Sequence, residues 1–318
     1  MEQSIEVPVG TAARVSVPAT SANLGPGFDS MGLALELRDE IRLEVVDGPD
    51  TAAVEGEGAA ELPTDGTHLV LRLARAHLEA RGARVPGLSL QARNRIPHAR
   101  GLGSSAAAVV SALTAAEALL PESVRRTPES LLDDAARREG HPDNVAPALL
   151  GGATVSWTRD DGVDGFATAA LHVHPAVTPV VAVPETRLST EAARGVLPET
   201  VPHAVAAAQA GRAGLLVHAL AEDPSLLLPA TRDRLHQQQR AVAMPASAAL
   251  VEALRAEGWA AVVSGAGPTV LVLADGADAA RRAADRMAAL TADSGVMWRV
   301  RVPGIAGEGV RVESLQHG

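Results

Sequence analysis

One apolar segment stands out in the pattern of hydrophobic and polar positions. Residues 106–120 contain neither glycine nor proline, consist mainly of good helix formers, and end at Pro121. Because the segment is apolar nearly all round, it predicts a buried helix. Two glycines and two serines come directly before it.

The rest of the chain alternates between short strand patterns and amphipathic helix patterns. Strands are predicted at residues 13–20, 33–37, 41–46, 88–94, 153–158, 170–174, 177–183, 260–264, 269–274, 296–302 and 310–313. Further helices are predicted at residues 68–81, 128–139, 189–195, 202–220, 247–258 and 277–291. Residues 48–66 are rich in Gly, Pro, Asp and Glu and predict a surface excursion.

This mixed order predicts an α+β protein of two layered units and not a continuous βαβ series. At 318 residues the chain is long enough for two domains. The polar turn at residues 160–165 is the predicted boundary, which divides the chain into residues 1–164 and 165–318.

Composition narrows the functional class. A net charge of −10 and an aromatic content of 2% argue against a nucleic-acid partner. The chain has no cysteine and therefore no disulfide framework or cysteine metal site. The pattern shows neither a signal peptide nor a stretch of roughly 20 apolar residues, so we expect a cytoplasmic protein without a membrane partner.

The start of the buried helix is suited to an anion. Its first N–H groups lack intrahelical partners, and its dipole places partial positive charge there. Gly101 and Gly103 predict close backbone approach to a phosphate chain. The alternative is that Ser104 or Ser105 merely caps the helix. The chain contains no lysine, so phosphate charge would be met by backbone amides, arginine and metal.

The string Pro-His-Ala-Arg-Gly-Leu-Gly-Ser-Ser-Ala-Ala resembles the phosphate-binding motif of the GHMP kinases. That resemblance implies ATP binding by Pro97, His98, Ala99, Arg100, Gly101, Leu102, Gly103, Ser104, Ser105, Ala106 and Ala107. Residues 264–269, Ser-Gly-Ala-Gly-Pro-Thr, resemble the third motif of the same family. They are expected to close over the phosphate loop, and a glycine turn between two strands is compatible with that role.

Near the N-terminus, Asn23 and Asp29 flank a Gly-Pro-Gly turn. By residue type alone this is ordinary turn chemistry. The surrounding string, Pro-Ala-Thr-Ser-Ala-Asn-Leu-Gly-Pro-Gly-Phe-Asp-Ser-Met-Gly, resembles the N-terminal motif of the homoserine kinases within that family. The resemblance implies that both residues face an amino-acid substrate, with Asp29 near its hydroxyl or ammonium group.

A second polar cluster follows the helix predicted at residues 128–139. Taken alone, its His and Asp suggest a solvated turn, but next to a phosphate loop a carboxylate could hold Mg²⁺ against nucleotide phosphates. The resemblance assigns Glu139 and Ser105 to Mg²⁺. It also places His141 and Asn144 beside the substrate, with Asp143 in the same turn.

Two arginines are candidates for holding a substrate carboxylate, which a guanidinium can bind bidentately. Arg194 ends a Ser-Thr-x-x-Ala-Arg segment that resembles one in the homoserine kinases. Arg240 matches a second family arginine, although three glutamines precede it, and Arg232 or Arg234 could take that place instead.

The matching motifs extend from residue 17 to residue 269 in family order. The resemblance implies a two-domain GHMP kinase fold with an N-terminal phosphate-loop domain, a C-terminal ferredoxin-like domain and the active site between them. It implies phosphorylation of L-homoserine by ATP with Mg²⁺, and catalytic roles for Asp29 and Arg194. Whether Asp29 is a general base or only orients the hydroxyl stays open, as does the oligomeric state, a homodimer included. The alternatives are a kinase of another small alcohol and a non-catalytic ligand-binding protein.

Overall fold

The structure, a computed structural model, describes residues 5–315 except 161 and 163. Its strands are β1 Ile5–Glu6, β2 Ala12–Ala22, β3 Met31–Val46, β4 Thr51–Gly56, β5 Ala83–Arg84, β6 Gly87–Asn94, β7 Ala153–Thr158, β8 Phe166–Leu171, β9 Val177–Pro184, β10 Ala261–Val263, β11 Val270–Asp275, β12 Trp298–Arg301 and β13 Arg311–Leu315. Its α-helices are α1 Leu69–Ala80, α2 Ser104–Leu119, α3 Leu132–Glu139, α4 Val145–Leu150, α5 Thr190–Gly195, α6 His203–Ala221, α7 Leu227–Ala230, α8 Gln237–Arg240, α9 Pro245–Ala256 and α10 Ala277–Thr291. Short 3-10 turns span Glu122–Val124, Pro128–Leu131, Pro224–Leu226 and Ala241–Ala243.

A seven-stranded sheet dominates the first half of the chain. Its strand order is β13-β2-β3-β6-β4, and β7 and β8 extend it from the first residues of β3. The pairs are antiparallel except for β4 with β6, which is parallel. The separate two-stranded pair β1 and β5 is also parallel.

A four-stranded antiparallel sheet, in the order β10-β11-β9-β12, forms the second half. Its strand order is that of the split β-α-β-β-α-β motif of ferredoxin-like domains. Helices α9 and α10 cover one face, where Val180 and Ala182 of β9 point. Val181 and Val183 point to the opposite face and join the main core. The predicted two-part α+β architecture is thereby confirmed.

The predicted buried helix is α2. All of its residues from Val109 to Leu119 are buried, and it packs against α1, β2, α3 and α4. It begins at Ser104, two residues earlier than the apolar pattern predicts. This central position fixes its N-terminus relative to β2.

Strand β3 is one continuous strand where two were predicted. Arg38 and Asp39, which lie between the two predicted strands, are buried and hydrogen-bonded: Arg38 Nη1 donates to Gly309 O at 2.9 Å. Asp39 Oδ1 accepts from the backbone N–H groups of Arg95 at 2.6 Å and Ile96 at 2.9 Å. Long-range partners therefore let a charged stretch continue through the sheet.

Strand β4 and helix α4 are among the elements that were not predicted. Strand β4 lies within the expected surface excursion at residues 48–66 and pairs with β6 at the edge of the sheet. Helix α4 begins inside the expected polar turn, and Pro147 lies in its first turn, where a proline is tolerated.

The predicted boundary after residue 164 stays a prediction, but the sheets do not follow it strictly. Strand β8 pairs with β7, and β13 pairs with β2, so the seven-stranded sheet takes two strands from beyond that residue. The chain therefore passes to the four-stranded sheet after β8 and returns at β13.

Helix α6 is long and apolar enough to span a membrane by length and composition, which the sequence analysis did not anticipate. The helix contains the polar residues Arg212 and Gln209. Leu216 and Leu220 on one face are buried in the protein core. One helix that meets these two criteria is weak evidence for a membrane protein.

Candidate active site

The N-terminus of α2 opens into a cleft between the two sheets. Its N-cap residue, Gly103, has a φ of 68° and makes no side-chain capping bond. The first backbone bond runs from Ala107 N to Gly103 O, so the N–H groups of Ser104, Ser105 and Ala106 have no intrahelical partner. The alternative that a serine caps the helix is therefore wrong, and these amides are available to an anion. Ala106 and Ala107 bury their side chains in the core.

The phosphate loop, residues 97–103, is held by the second half of the chain. Ser264 Oγ donates to Gly101 O at 2.6 Å and lies 2.8 Å from Ser21 Oγ. Leu188 N donates to Ala99 O at 2.9 Å. The expectation that the third motif closes over the phosphate loop is confirmed.

The two loop glycines allow close packing against neighbouring protein atoms, and their approach to a phosphate chain stays a prediction. A Cβ at Gly101 would overlap the carbonyl oxygen of Ser264. A Cβ at Gly103 would overlap Thr20 Oγ1 and lie 3.0 Å from Asn144 Oδ1. Since Thr20 Oγ1 also donates to that Asn144 oxygen at 2.8 Å, this close packing links the loop to the predicted substrate side.

Three predicted ATP residues turn their side chains away from the cleft. Pro97, Arg100 and Leu102 line a separate cavity on the other side of the loop. The guanidinium of Arg100 donates to the carbonyl oxygens of Pro184 and Glu185, both at 2.8 Å. These residues contribute loop position and backbone, while the side chain of Arg100 is used to anchor the loop to β9.

The N-terminal turn is held in an unusual conformation. Asn23, Leu24 and Asp29 all have positive φ, at 68°, 47° and 54°. Asn23 Oδ1 accepts from Asp29 N at 2.9 Å, and its Nδ2 donates to Gly265 O at 2.9 Å. The amide of Asn23 thus fixes both the turn and the third motif, and the residue also lines the cleft.

Asp29 and Arg194 form a bidentate ion pair across the cleft. Nη2 lies 2.6 Å from Oδ1, and Nη1 lies 3.1 Å from Oδ2. Arg194 is on α5, whose predicted cap is confirmed by Ser189 Oγ accepting from Ala192 N at 3.1 Å. Burial lowers the pKa of Arg194, but Asp29 outweighs it and the net pKa is raised. The two predicted catalytic side chains therefore meet.

Arg240 is the second arginine of the cleft, whereas Arg232 and Arg234 are exposed outside its lining. Its side chain is only 1% exposed and donates to the carbonyl oxygens of Ala193 at 3.1 Å and Gly265 at 3.3 Å. Burial, followed by the charge of Arg194, lowers its pKa, although a guanidinium stays protonated in proteins. The geometry favours Arg240 among the three alternatives.

The polar cluster after α3 lies on the same cleft. Ser105 Oγ donates to Glu139 Oε2 at 2.8 Å, and burial raises the pKa of that carboxyl group. His141 Nδ1 lies 2.7 Å from Asp143 Oδ1. Burial lowers the pKa of His141, but Asp143 outweighs it and the net pKa is raised. Asn144 lines the cleft beside them.

A second, largely apolar pocket adjoins the cleft and shares Ser104 and Ser105 with it. Its lining includes His98 and residues of the α1 N-terminus. His68 Nδ1 caps α1 by accepting from Val70 N at 3.2 Å, while its buried Nε2 has no partner among the described residues. The α2 N-terminus thus stands between a polar and an apolar chamber.

Two cleft-side residues escaped the sequence analysis. Phe28 stacks on the buried ring of His236, with centroids 4.9 Å apart, and both cleft arginines lie near the Phe28 ring. The spacing of four residues between His236 and Arg240 was the available signal, because such residues share a helix face.

The chain is similar to known proteins in sequence and in fold. The model of the GHMP kinases N terminal domain matches residues 68–152, and that of the GHMP kinases C terminal matches residues 204–292. The homoserine kinase of Streptomyces coelicolor is 49% identical over 307 residues, which cover 96% of this chain and 95% of that protein. The homoserine kinase of Streptomyces avermitilis is 53% identical over 84% of this chain and 87% of its own length.

Among solved structures, the crystal structure of homoserine kinase from Cytophaga hutchinsonii superposes with a TM-score of 0.84. The match has 27% sequence identity and covers 95% of this chain and 97% of that one.

Proposed function

Since the chain belongs to the homoserine kinases of the GHMP kinase family, we infer that it transfers a phosphoryl group from ATP to the hydroxyl of L-homoserine. The products are ADP and O-phospho-L-homoserine, and the reaction is a step in threonine biosynthesis. The observation that carries the assignment to the cleft is the meeting of an uncapped buried helix N-terminus with the Asp29–Arg194 pair and Arg240.

The triphosphate lies across the N-terminus of α2. The free N–H groups of Ser104, Ser105 and Ala106 and the positive end of the helix dipole would neutralise part of its charge without lysine. The apolar pocket that shares the two serines is suited to the base. Pre-positioned amides are effective here because phosphoryl transfer depends on positioning and charge stabilisation.

The residues present fit Mg²⁺. Ser105 and Glu139 supply a hydroxyl and a carboxylate 2.8 Å apart, and hard oxygen ligands of this kind suit the ion. Burial raises the pKa of Glu139, so its charged form lacks compensation that a cation would provide. Bound there, the ion would neutralise phosphate charge.

The substrate carries an ammonium and a carboxylate on one carbon, and the cleft presents matching charges. Arg240 and Arg194 hold the carboxylate, while Asp29 meets the ammonium or the hydroxyl. Asn23, His141 and Asn144 orient the rest of the molecule. Whether Asp29 removes the hydroxyl proton or only aligns the oxygen, the same carboxylate is used.

The test is ADP release with MgATP, comparing L-homoserine with mevalonate, galactose, shikimate and no acceptor. Turnover with homoserine alone supports the proposal. Turnover with another alcohol would keep the phosphate site and discard the carboxylate clamp. ATP binding without turnover on any acceptor would support a non-catalytic ligand-binding protein, although Ser105 and Glu139 argue against that.

We also propose that the chain consists of two domains, residues 1–164 and residues 165–318. We expect a cytoplasmic enzyme that acts on small molecules, with neither nucleic acid nor membrane as partner and with a homodimer as one candidate assembly. The charge of −10 supports the expectation about nucleic acid.

A further inference from the structure

His236 is fully buried beside the cleft and engages both of its ring nitrogens. Nε2 lies 2.8 Å from Gly25 O, which can only accept, so Nε2 carries the proton. Nδ1 lies 3.2 Å from Nη1 of Arg240, which can only donate, so Nδ1 is the acceptor. The ring is therefore neutral, in agreement with burial lowering its pKa.

The protein uses the N–H groups of Arg240 on one side only. Nε donates to Ala193 O, and Nη1 is within hydrogen-bond distance of His236 Nδ1 and Gly265 O. Nη2 has no hydrogen-bond partner among the described residues. Because the guanidinium is planar, fixing Nε and Nη1 also fixes the direction of the two Nη2 hydrogens.

Phe28 extends this arrangement to the second arginine. Its ring stacks on His236 at 4.9 Å with an interplanar angle of 27°. The guanidinium carbons of Arg240 and Arg194 lie 5.3 Å and 5.7 Å from the centre of the same ring. Cations at such distances from an aromatic ring are attracted to it. The histidine thus supports the surface on which both arginines rest.

We propose that His236 is a positioning residue for recognition of the substrate carboxylate: its Nδ1 holds Arg240 so that Nη2 faces the bound amino acid. The inference rests on the proposed function, since it assumes that Arg240 meets a carboxylate. The competing explanation is that His236 only anchors the Gly25 turn through Nε2.

Two substitutions separate these roles because they retain opposite halves of the imidazole. In His236→Asn the amide oxygen is attached to Cγ, as Nδ1 is, and can still accept from Arg240. In His236→Gln the amide nitrogen reaches further, as Nε2 does, and can still donate to Gly25 O. Loss of a hydrogen bond to a charged group predicts a rise of about tenfold or more in the homoserine KM for the Gln variant. The Asn variant is expected to stay within about threefold of the unsubstituted enzyme.

The specificity readout uses 3-amino-1-propanol, which is homoserine without its carboxylate. The preference for homoserine over this amine, as a ratio of kcat/KM values, should fall about tenfold or more in His236→Gln, with the ATP KM unchanged. His77→Gln is the matched control: His77 is 2% exposed, bonds Glu117 at 2.8 Å, and lies outside the cleft lining. It should leave the preference unchanged.

Equal or greater impairment of His236→Asn, or an unchanged preference in His236→Gln, would overturn the inference and leave only the anchoring role. Absence of homoserine phosphorylation by the unsubstituted enzyme would instead overturn the proposed function. If neither variant folds, Arg240→Lys and Arg240→Ala provide the second test. A homoserine preference that survives both substitutions would refute the proposal, and its loss in both would support the premise that Arg240 meets the carboxylate.

Discussion

Gly103→Ala tests whether the phosphate loop depends on its close approach to β2. The new methyl group would overlap Thr20 Oγ1. The alanine would also have to keep the left-handed backbone conformation of residue 103, at φ 68°. Thr20 cannot easily move, because it is fully buried, belongs to β2 and donates to Asn144. The loop is therefore the part that should shift.

The expected loss of folding stability in Gly103→Ala has two parts. A left-handed conformation costs a residue with a Cβ about 1–2 kcal/mol, and overpacking of a tight site costs about 1–3 kcal/mol. Together they predict a loss of about 2–5 kcal/mol of folding stability. A displacement of about 1 Å at a catalytic loop can lower turnover on the order of a hundredfold.

The assay is ADP release at saturating MgATP and homoserine, well below the unfolding temperature of the variant, with circular dichroism confirming that it is folded. Gly211→Ala is the matched control, since a Cβ there meets no atom within 4 Å on helix α6. The control should gain about 0.5–1 kcal/mol in stability and keep its activity. A Gly103→Ala enzyme with normal kcat and normal thermal stability would refute the reasoning.

Three more substitutions test separate parts of the molecule. Asp29→Asn breaks the charge pair with Arg194 and should lower kcat strongly with an unchanged ATP KM; near-normal turnover would remove Asp29 from the mechanism. Glu139→Gln can still accept from Ser105 but is a weaker metal ligand, so the Mg²⁺ concentration for half-maximal rate should rise about tenfold or more, and an unchanged Mg²⁺ titration would contradict the assignment. Burial raises the pKa of Asp39 from 3.8 to about 6. The folded protein therefore holds this proton more tightly than the unfolded chain, and the resulting stabilisation is fully present below about pH 4 and is lost as pH rises through about 6. Asp39→Asn should therefore raise the free energy of unfolding, measured by denaturant unfolding, by an amount on the order of 3 kcal/mol or less at pH 8 and change it little at pH 4; equal effects at both pH values would contradict this.

The features that the sequence predicts well are those specified locally. Helix α2 follows from helix propensity and uninterrupted apolarity, and the cap of α5 follows from Ser189. Strand β4 and the joined strand β3 depend on partners far along the chain, which a local pattern cannot reveal. The return of β13 to the first sheet is of the same kind.

In the candidate site, too, some residues could be predicted from the sequence and others could not. Resemblance to the family motifs identified several residues that line the cleft, including Asp29, Arg194 and Glu139. It did not identify His236 as support for Arg240, because the histidine is linked to Gly25, which lies 211 residues away. Such supporting contacts are long-range and use ordinary core positions, so they carry little local signal.

Backbone conformation also depends on contacts between distant parts of the chain. Among the described residues, those other than glycine with positive φ are Asn23, Leu24, Asp29 and Ala99. All four lie in the N-terminal turn or the phosphate loop. Each such conformation costs about 1–3 kcal/mol and persists only where surrounding contacts enforce it. Here Gly265 O holds Asn23, and the N–H group of Leu188 holds Ala99, so the second half of the chain maintains the strain of the first. Asn and Asp tolerate this region and hint at it in a sequence, whereas Leu and Ala do not. The geometry of the cleft is therefore a property of the assembled fold and not of either half of the chain alone.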